Sequence, residues 1–392
     1  MPTVTLPHDD AERWPVLTDE DESAVLEILR DGDLTTHPVT QALEADYRNY
    51  FGTTHALAHC NGTTALMAAF FALDLQSGDE VIVPSATWWS SALPMLWLGA
   101  LPIFTDCESD RLGLCPSDVE AKITPRTKAI VVVHLWGMPA RMTELLDIAK
   151  RHGLAVIEDA SHAHGARWND RPVGTLGDIG VFSLHGHKLA PAGEGGMLLT
   201  DNNAFFERAT LLGDVNRVYQ LDSPAKRFAA TGFGIKTRMA PLCAAVGRVQ
   251  LKHLDTRNAE RNANIMYLAQ RLEPLGIHTF QSPSHVERVY FEFLTLNNTS
   301  IQTQTLIERL QEEGCHVRTG RYPLLHQQPF FTEGHWAHIA RLPQSITPPD
   351  YTQIRLPKIE GLIDKGLALP SFHRCEKGLL DQYATAFEKV IE

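Results

Sequence analysis

Cysteine is scarce in this chain. Six residues, Cys60, Cys107, Cys115, Cys243, Cys315 and Cys375, stand far apart with no CxxC pair among them. That spacing offers no disulfide framework and no metal site, and it fits reduced thiols in the cytoplasm. Positive charge is also short, with 35 Lys and Arg against 47 Asp and Glu, a formal net charge of −12. A nucleic-acid surface needs the opposite balance, so no nucleic-acid partner is expected. No apolar run approaches the length of a membrane span. The first residues, MPTVTLPHDDAERW, are polar and acidic where a signal peptide would be basic and then apolar. The expectation is a soluble, cytoplasmic protein with no membrane partner. No GxGxxG turn follows a strand, which argues against a nicotinamide cofactor. Internal repeats and low-complexity tracts are missing too.

What remains is an ordinary globular composition, 44% apolar over 392 residues. That length is too great for one small core, and two domains are expected. The first part alternates strand and helix. Short apolar runs at Ala56–Cys60, Val81–Val83, Pro102–Thr105, Ala129–His134 and Ala155–Ile157 are separated by helical patterns, among them Ala65–Leu73, Pro116–Ile123 and Thr143–His152. Such alternation predicts an α/β fold with a mainly parallel sheet. Thr40–Phe51 reads as a helix capped by Thr40 and ended by Gly52. A long helical pattern, Ala240–Leu272, reads as a connecting helix. Beyond Gly276 the rhythm changes to that of a smaller α+β unit, with strands at Val289–Leu296 and Cys315–Thr319. Arg321–Leu356 reads as irregular. The expected division is an N-terminal arm plus large domain over 1–255 and a smaller C-terminal domain over 256–392.

The stretch Ala155–Thr200 carries the chemistry. One apolar run ends in Glu158-Asp159, followed by His162 and His164. The next, Ile179–Leu184, leads to His185, His187 and Lys188, then Gly193-Glu194-Gly195-Gly196. Ligands of open α/β sheets sit outside the carboxyl ends of the strands, so Asp159 and Lys188 are expected in one crevice. A lysine amine forms a Schiff base with an aldehyde, and an acid opposite a pyridine nitrogen keeps that ring cationic. Together they suit pyridoxal 5'-phosphate. The strand Ala56–Cys60 turns through Asn61-Gly62-Thr63-Thr64 into a helix, a geometry that offers N–H groups and a positive dipole to a phosphate. Ser183 is placed to add a hydroxyl to that phosphate. Trp88 supplies a flat apolar face for a planar ring, and His162 a contact to the ring or its phenolic oxygen. Each residue also has a plainer reading. Asp159 would cap a helix at Ala160, Lys188 would be a solvated charge, Asn-Gly-Thr-Thr would be a turn, and Trp89 is read as core. The ordered set on one sheet favours the chemical reading.

With these motifs the chain resembles the DegT/StrS family of pyridoxal-phosphate-dependent aminotransferases of keto sugars and keto cyclitols. The likeness runs from Asn61-Gly62-Thr63-Thr64-Ala65-Leu66 and Gly78–Pro84 through Glu158-Asp159-Ala160, His164-Gly165-Ala166, Phe182-Ser183, Lys188 and Gly193–Gly196 to Arg238-Met239 and Gln250-Leu251. The resemblance implies an aspartate-aminotransferase-like fold (fold type I) and a homodimer with shared active sites. It implies Lys188 as Schiff-base lysine and proton carrier, and Asp159 as partner of the ring nitrogen. Trp88 would stack on the ring, and Gly62, Thr63, Thr64 and Ser183 would form the phosphate end. His162 stands where the family usually has Gln. Lys236 stands where it often has the Asn that reaches a neighbouring subunit's phosphate. The implied reaction moves an amino group from L-glutamate or L-glutamine to a small ketone. The alternatives are a sugar dehydratase, which has His in place of the lysine, and a non-catalytic cofactor-binding regulator. Arg238 and Arg321 are candidates for the donor carboxylate.

Overall fold

The computed structural model describes residues 1–392. The β-branched and apolar runs of the first half form seven strands. They are β1 (His55–His59), β2 (Glu80–Pro84), β3 (Leu101–Thr105), β4 (Thr127–Val133), β5 (Ala155–Asp159), β6 (Ile179–Ser183) and β7 (Gly196–Thr200). They assemble in the order β1-β7-β6-β5-β4-β2-β3. The run from β3 through β2, β4 and β5 to β6 is parallel, and β7 runs antiparallel to both its neighbours, β1 and β6. Residues such as Val81, Ile82, Val83, Ile130, Val131 and Val132 are fully buried on both faces. Helices cover each side, which is why these strands read as unbroken apolar runs. The helix Met142–His152 buries Met142, Leu145, Ile148 and Ala149, a single stripe at helical spacing, and stops at Gly153 in the left-handed conformation (φ 64°). This is the α/β, fold-type-I architecture expected from the sequence.

A second, four-stranded antiparallel sheet is built from Ile277–His278, Phe293–Asn297, Arg318–Thr319 and Gly366–Leu369. Its helices Thr303–Glu312 and Lys377–Ile391 bury Leu306, Leu310, Leu380, Tyr383 and Phe387 in a separate smaller core. The N-terminal arm and the segment Tyr322–Ile359 cross between cores. Val4 and Ala11 pack into the smaller core, whereas Tyr322, Leu325, Phe331, Tyr351 and Ile359 pack into the larger one.

Several elements differ from expectation. The long pattern Ala240–Leu272 is two helices, Pro241–Lys252 and Leu254–Leu272, broken at His253 (φ −95°, ψ 0°). The first packs Ala244 on the larger core and the second packs Ile265, Leu268 and Leu272 in the smaller one, so one straight axis cannot serve both. The helix Val39–Phe51 starts after Pro38, and its first N–H is met by His37 Nδ1 at 3.1 Å, so Thr40 is not its cap. Gly52 does end it, at φ 73°. The strands of the second sheet are shorter than their apolar patterns: Val289–Phe291 is diverted, with the Val289 N–H donating to Gly137 O (3.1 Å) and the Phe291 N–H to Trp136 O (3.3 Å). That detour carries Phe291 to the carboxyl ends of the large sheet. Arg321–Leu356 contains short helical turns and lies as a strap on the large domain. Leu325 N–H donates to Ser85 O (3.0 Å) and Tyr351 Oη to Pro102 O (3.0 Å).

Candidate active site

A cavity of about 490 Å³ opens at the carboxyl ends of β1, β5 and β6. One end of it is set by the start of the helix Gly62–Ala72. Asn61 is the cap, its Oδ1 accepting from the Thr64 N–H at 2.9 Å. The first-turn N–H groups of Gly62 and Thr63 have no acceptor within the helix, and both residues line the cavity. A Cβ on Gly62 would stand 2.8 Å from Ser183 Cβ. Only glycine lets the end of β6 come that close, and the approach sets Ser183 beside the helix terminus. Thr63 Oγ1 is 2.7 Å from Ser90 Oγ.

The acid and the amine come from neighbouring parallel strands. Asp159, the last residue of β5, is buried and accepts from Ser91 Oγ at 2.7 Å and from the Ser161 N–H at 3.2 Å. Ser91 Oγ lies 2.9 Å from Thr87 Oγ1. A carboxylate accepts only, so Ser91 spends its one hydrogen on Asp159 and Thr87 donates to Ser91. The result is a chain of hydroxyls aimed at one carboxylate. No helix starts at Ala160, so Asp159 is not a helix cap. Lys188 follows β6 and its Nζ lies over the Phe291 ring, 4.4 Å from the centroid. Burial lowers the amine to about 8, Asp159 opposing and Arg321 adding to the shift. The lysine backbone is pinned from the N-terminal arm, where Trp14 Nε1 donates to Lys188 O at 3.0 Å. Arg321 enters from the strap and is held by Glu292, its Nε 3.5 Å from the Glu292 carboxylate.

An aromatic wall completes the cavity. Trp88, 49% exposed, lines it, with its ring 5.7 Å from that of Tyr322. Trp89, read from sequence as core, is 39% exposed and lines the cavity as well, because it begins a 3-10 turn rather than a buried helix. His162 lies flat against Phe291 (4.1 Å between centroids) and Trp136 (5.5 Å). Trp136 takes a left-handed backbone conformation (φ 57°), uncommon for a bulky residue and a mark of a position fixed by its surroundings.

Of the residues expected from sequence, Gly62, Thr63, Trp88, Asp159, His162, Ser183 and Lys188 thus meet around one cavity. Thr64 does not line it, since its hydroxyl turns back to the Asn61 carbonyl at 2.9 Å. Lys236 is exposed and also outside this chain's cavity. Arg238 lies elsewhere, with Asp214 and Arg217. Glu158 points to the far face of the sheet, accepting from His134 Nε2 (2.9 Å) and three backbone N–H groups. Of the glycines after Lys188, Gly195 and Gly196 serve packing: a Cβ on Gly196 would sit 2.4 Å from Asn61 O, and one on Gly195 2.6 Å from Met239 Cε. The sequence reading missed Thr87, Ser91, Phe291 and Tyr322. The two hydroxyls had a signal, since they follow a strand end as Trp88 does. The two aromatics come from the second half by the detour and the strap, which no local pattern reveals.

Residues 15–365 match the model of the DegT/DnrJ/EryC1/StrS aminotransferase family. The chain is 33% identical to an L-glutamine:2-deoxy-scyllo-inosose aminotransferase of Streptomyces kanamyceticus, over 97% of this chain and 93% of that one. It is 37% identical to the enzyme of the same name from Micromonospora echinospora, over 71% and 70%. Among solved structures, an aminotransferase from Psychrobacter cryohalolentis superposes with a TM-score of 0.85 at 27% identity, covering 96% of this chain and 98% of that one. With a family model spanning most of its length and a relative matched nearly end to end, the chain belongs to the DegT/DnrJ/EryC1/StrS aminotransferase family.

Proposed function

We propose that the protein uses pyridoxal 5'-phosphate to move an amino group from L-glutamine or L-glutamate to a keto cyclitol of the 2-deoxy-scyllo-inosose type. The observation that carries this reading is Lys188 and Asp159 sharing one cavity at the ends of adjacent parallel strands. The residues present fit the cofactor. The space left by Gly62 under Ser183, with the helix N–H groups, suits its phosphate; Asp159, fed by Ser91, suits its ring nitrogen; Trp88 suits its flat ring. When bound, the cofactor supplies an aldehyde for the Lys188 amine and a cationic ring that takes up an electron pair.

The chain's own groups do the rest. Lys188 Nζ, lowered to about 8, has a neutral fraction at neutral pH to attack a carbonyl. Once displaced by the amino donor, the same Nζ takes the proton from the donor α-carbon, and returns one to the former ketone carbon of the acceptor. Arg321, steadied by Glu292, is the cation for the donor carboxylate. The acceptor ring lies against Trp89 and Tyr322, whose apolar faces suit the C–H face of a cyclitol. Lys236 of one copy is read as serving the phosphate of a second copy in a homodimer.

The test is a spectral titration of the cofactor-loaded protein with L-glutamine, L-glutamate and L-alanine in turn, followed by 2-deoxy-scyllo-inosose or a nucleotide-linked keto sugar. The expected result is loss of visible absorbance with glutamine or glutamate and an aminated cyclitol by mass spectrometry. No bleaching with any donor would instead favour a cofactor-binding regulator.

A further inference from the structure

His162 occupies a position from which its hydrogen can be assigned. The ring lies face to face with Phe291 (4.1 Å between centroids, interplanar angle 8°), and Trp136 flanks it nearly parallel (17°), so its two nitrogens keep fixed directions. Its Nδ1 faces the Trp136 backbone N–H at 3.4 Å, and that group only donates. Nδ1 is therefore the acceptor, and the ring hydrogen sits on Nε2. Burial, with Lys188 and Arg321 nearby, favours the neutral ring that this requires. Nε2 lies 3.1 Å from Tyr322 Oη, so the imidazole N–H donates to the phenol oxygen. The hydroxyl hydrogen of Tyr322 is then left with no acceptor in the chain, on a residue that lines the cavity beside Trp88.

We infer that Tyr322 donates a hydrogen bond to a neutral oxygen of the acceptor substrate, the ketone or an adjacent ring hydroxyl, and that His162 is the positioning residue that turns its hydroxyl into the cavity. This rests on the aminotransferase reading above. The two substrates use the cavity in turn. An amino-acid donor brings a carboxylate, for which Arg321 is the matching cation; a hydroxylated ring brings neutral oxygens, for which a neutral phenol between aromatic faces is the match.

Two measurements test it. In single turnovers of cofactor-loaded protein, Tyr322→Phe should slow return of absorbance with the ketone by about ten-fold or more, while bleaching by the amino donor changes by less than about three-fold. His162→Gln, whose amide N–H also donates to the phenol oxygen, should retain most of the ketone rate, and His162→Leu should lose as much as Tyr322→Phe. Equal slowing of both half-reactions in Tyr322→Phe would overturn the assignment. Independently of activity, ¹⁵N NMR of histidine-labelled, cofactor-free protein, with His162→Leu identifying the signal, should show the Nε2–H tautomer. An Nδ1–H tautomer or a charged ring would overturn it even if turnover were observed. Should the unaltered protein show no turnover with any donor, the functional reading fails while the tautomer still decides the His162–Tyr322 arrangement.

Discussion

In the proposed reaction the chemistry turns on Lys188, and burial is what would make its amine usable. An exposed lysine would be almost wholly protonated at neutral pH, whereas this amine is lowered to about 8. The neutral form dominates above that value. Covalent capture of pyridoxal phosphate by the cofactor-free protein is therefore expected to speed up with pH and to level off just above 8. A stopped-flow pH series checks this, and a rate still climbing at pH 10 would mean an unperturbed amine. Asp159 gives a second residue-scale prediction. Ser91→Ala removes a buried, charge-assisted hydrogen bond worth roughly 1.5–3 kcal/mol. Cofactor binding should weaken by about ten-fold or more, because the Asp159 carboxylate loses the donor that orients it. An unchanged cofactor Kd would show that Ser91 does not steer the carboxylate.

Among the elements, the strap Arg321–Leu356 has the least regular sequence and a large share in the site, because it brings Arg321 and Tyr322 to the large sheet. Its anchor is Tyr351, which is buried with its hydroxyl on Pro102 O at 3.0 Å and its ring against Phe331 and Trp336. Tyr351→Ala should cost about 3–5 kcal/mol, as other large-to-small aromatic losses do. Tyr351→Phe should cost about 1 kcal/mol, the net worth of one hydrogen bond. Urea unfolding of the two variants separates ring packing from hydroxyl. Equal stability of Tyr351→Ala and the parent would mean that the strap is not anchored there. The strap also shows why sequence patterns fail locally. Pro, His and Gln are read as irregular because their spacing has no period. Its fixed course comes from contacts more than two hundred residues away in the chain, such as Leu325 with Ser85. Strands β2, β4 and β5 were legible for the opposite reason: both faces are buried, so apolar character alone marks them.

At the scale of the whole molecule, the site joins parts of the chain that are distant in sequence. The cap at Asn61, the acid after β5 and the lysine after β6 were legible because strand ends of a parallel sheet share one side. Phe291 and Tyr322 were not, since their placement depends on how the smaller sheet docks, and Trp89 was misread because a short 3-10 turn replaces the expected helix. Lys236 is exposed and lies outside the cavity of its own chain. If a homodimer shares the sites, Lys236→Ala should weaken cofactor binding by about ten-fold, and light scattering should give twice the chain mass. A monomer with unchanged cofactor affinity in Lys236→Ala would sink the shared-site arrangement.

The proposed function depends on a covalent bond between Lys188 and the cofactor. Reduction of the cofactor-loaded protein with borohydride, then proteolysis and mass spectrometry, should place the phosphopyridoxyl mass on the peptide containing Lys188, and Lys188→Ala should carry no such mass there. Finding the label on another lysine, or on none, would contradict the central claim.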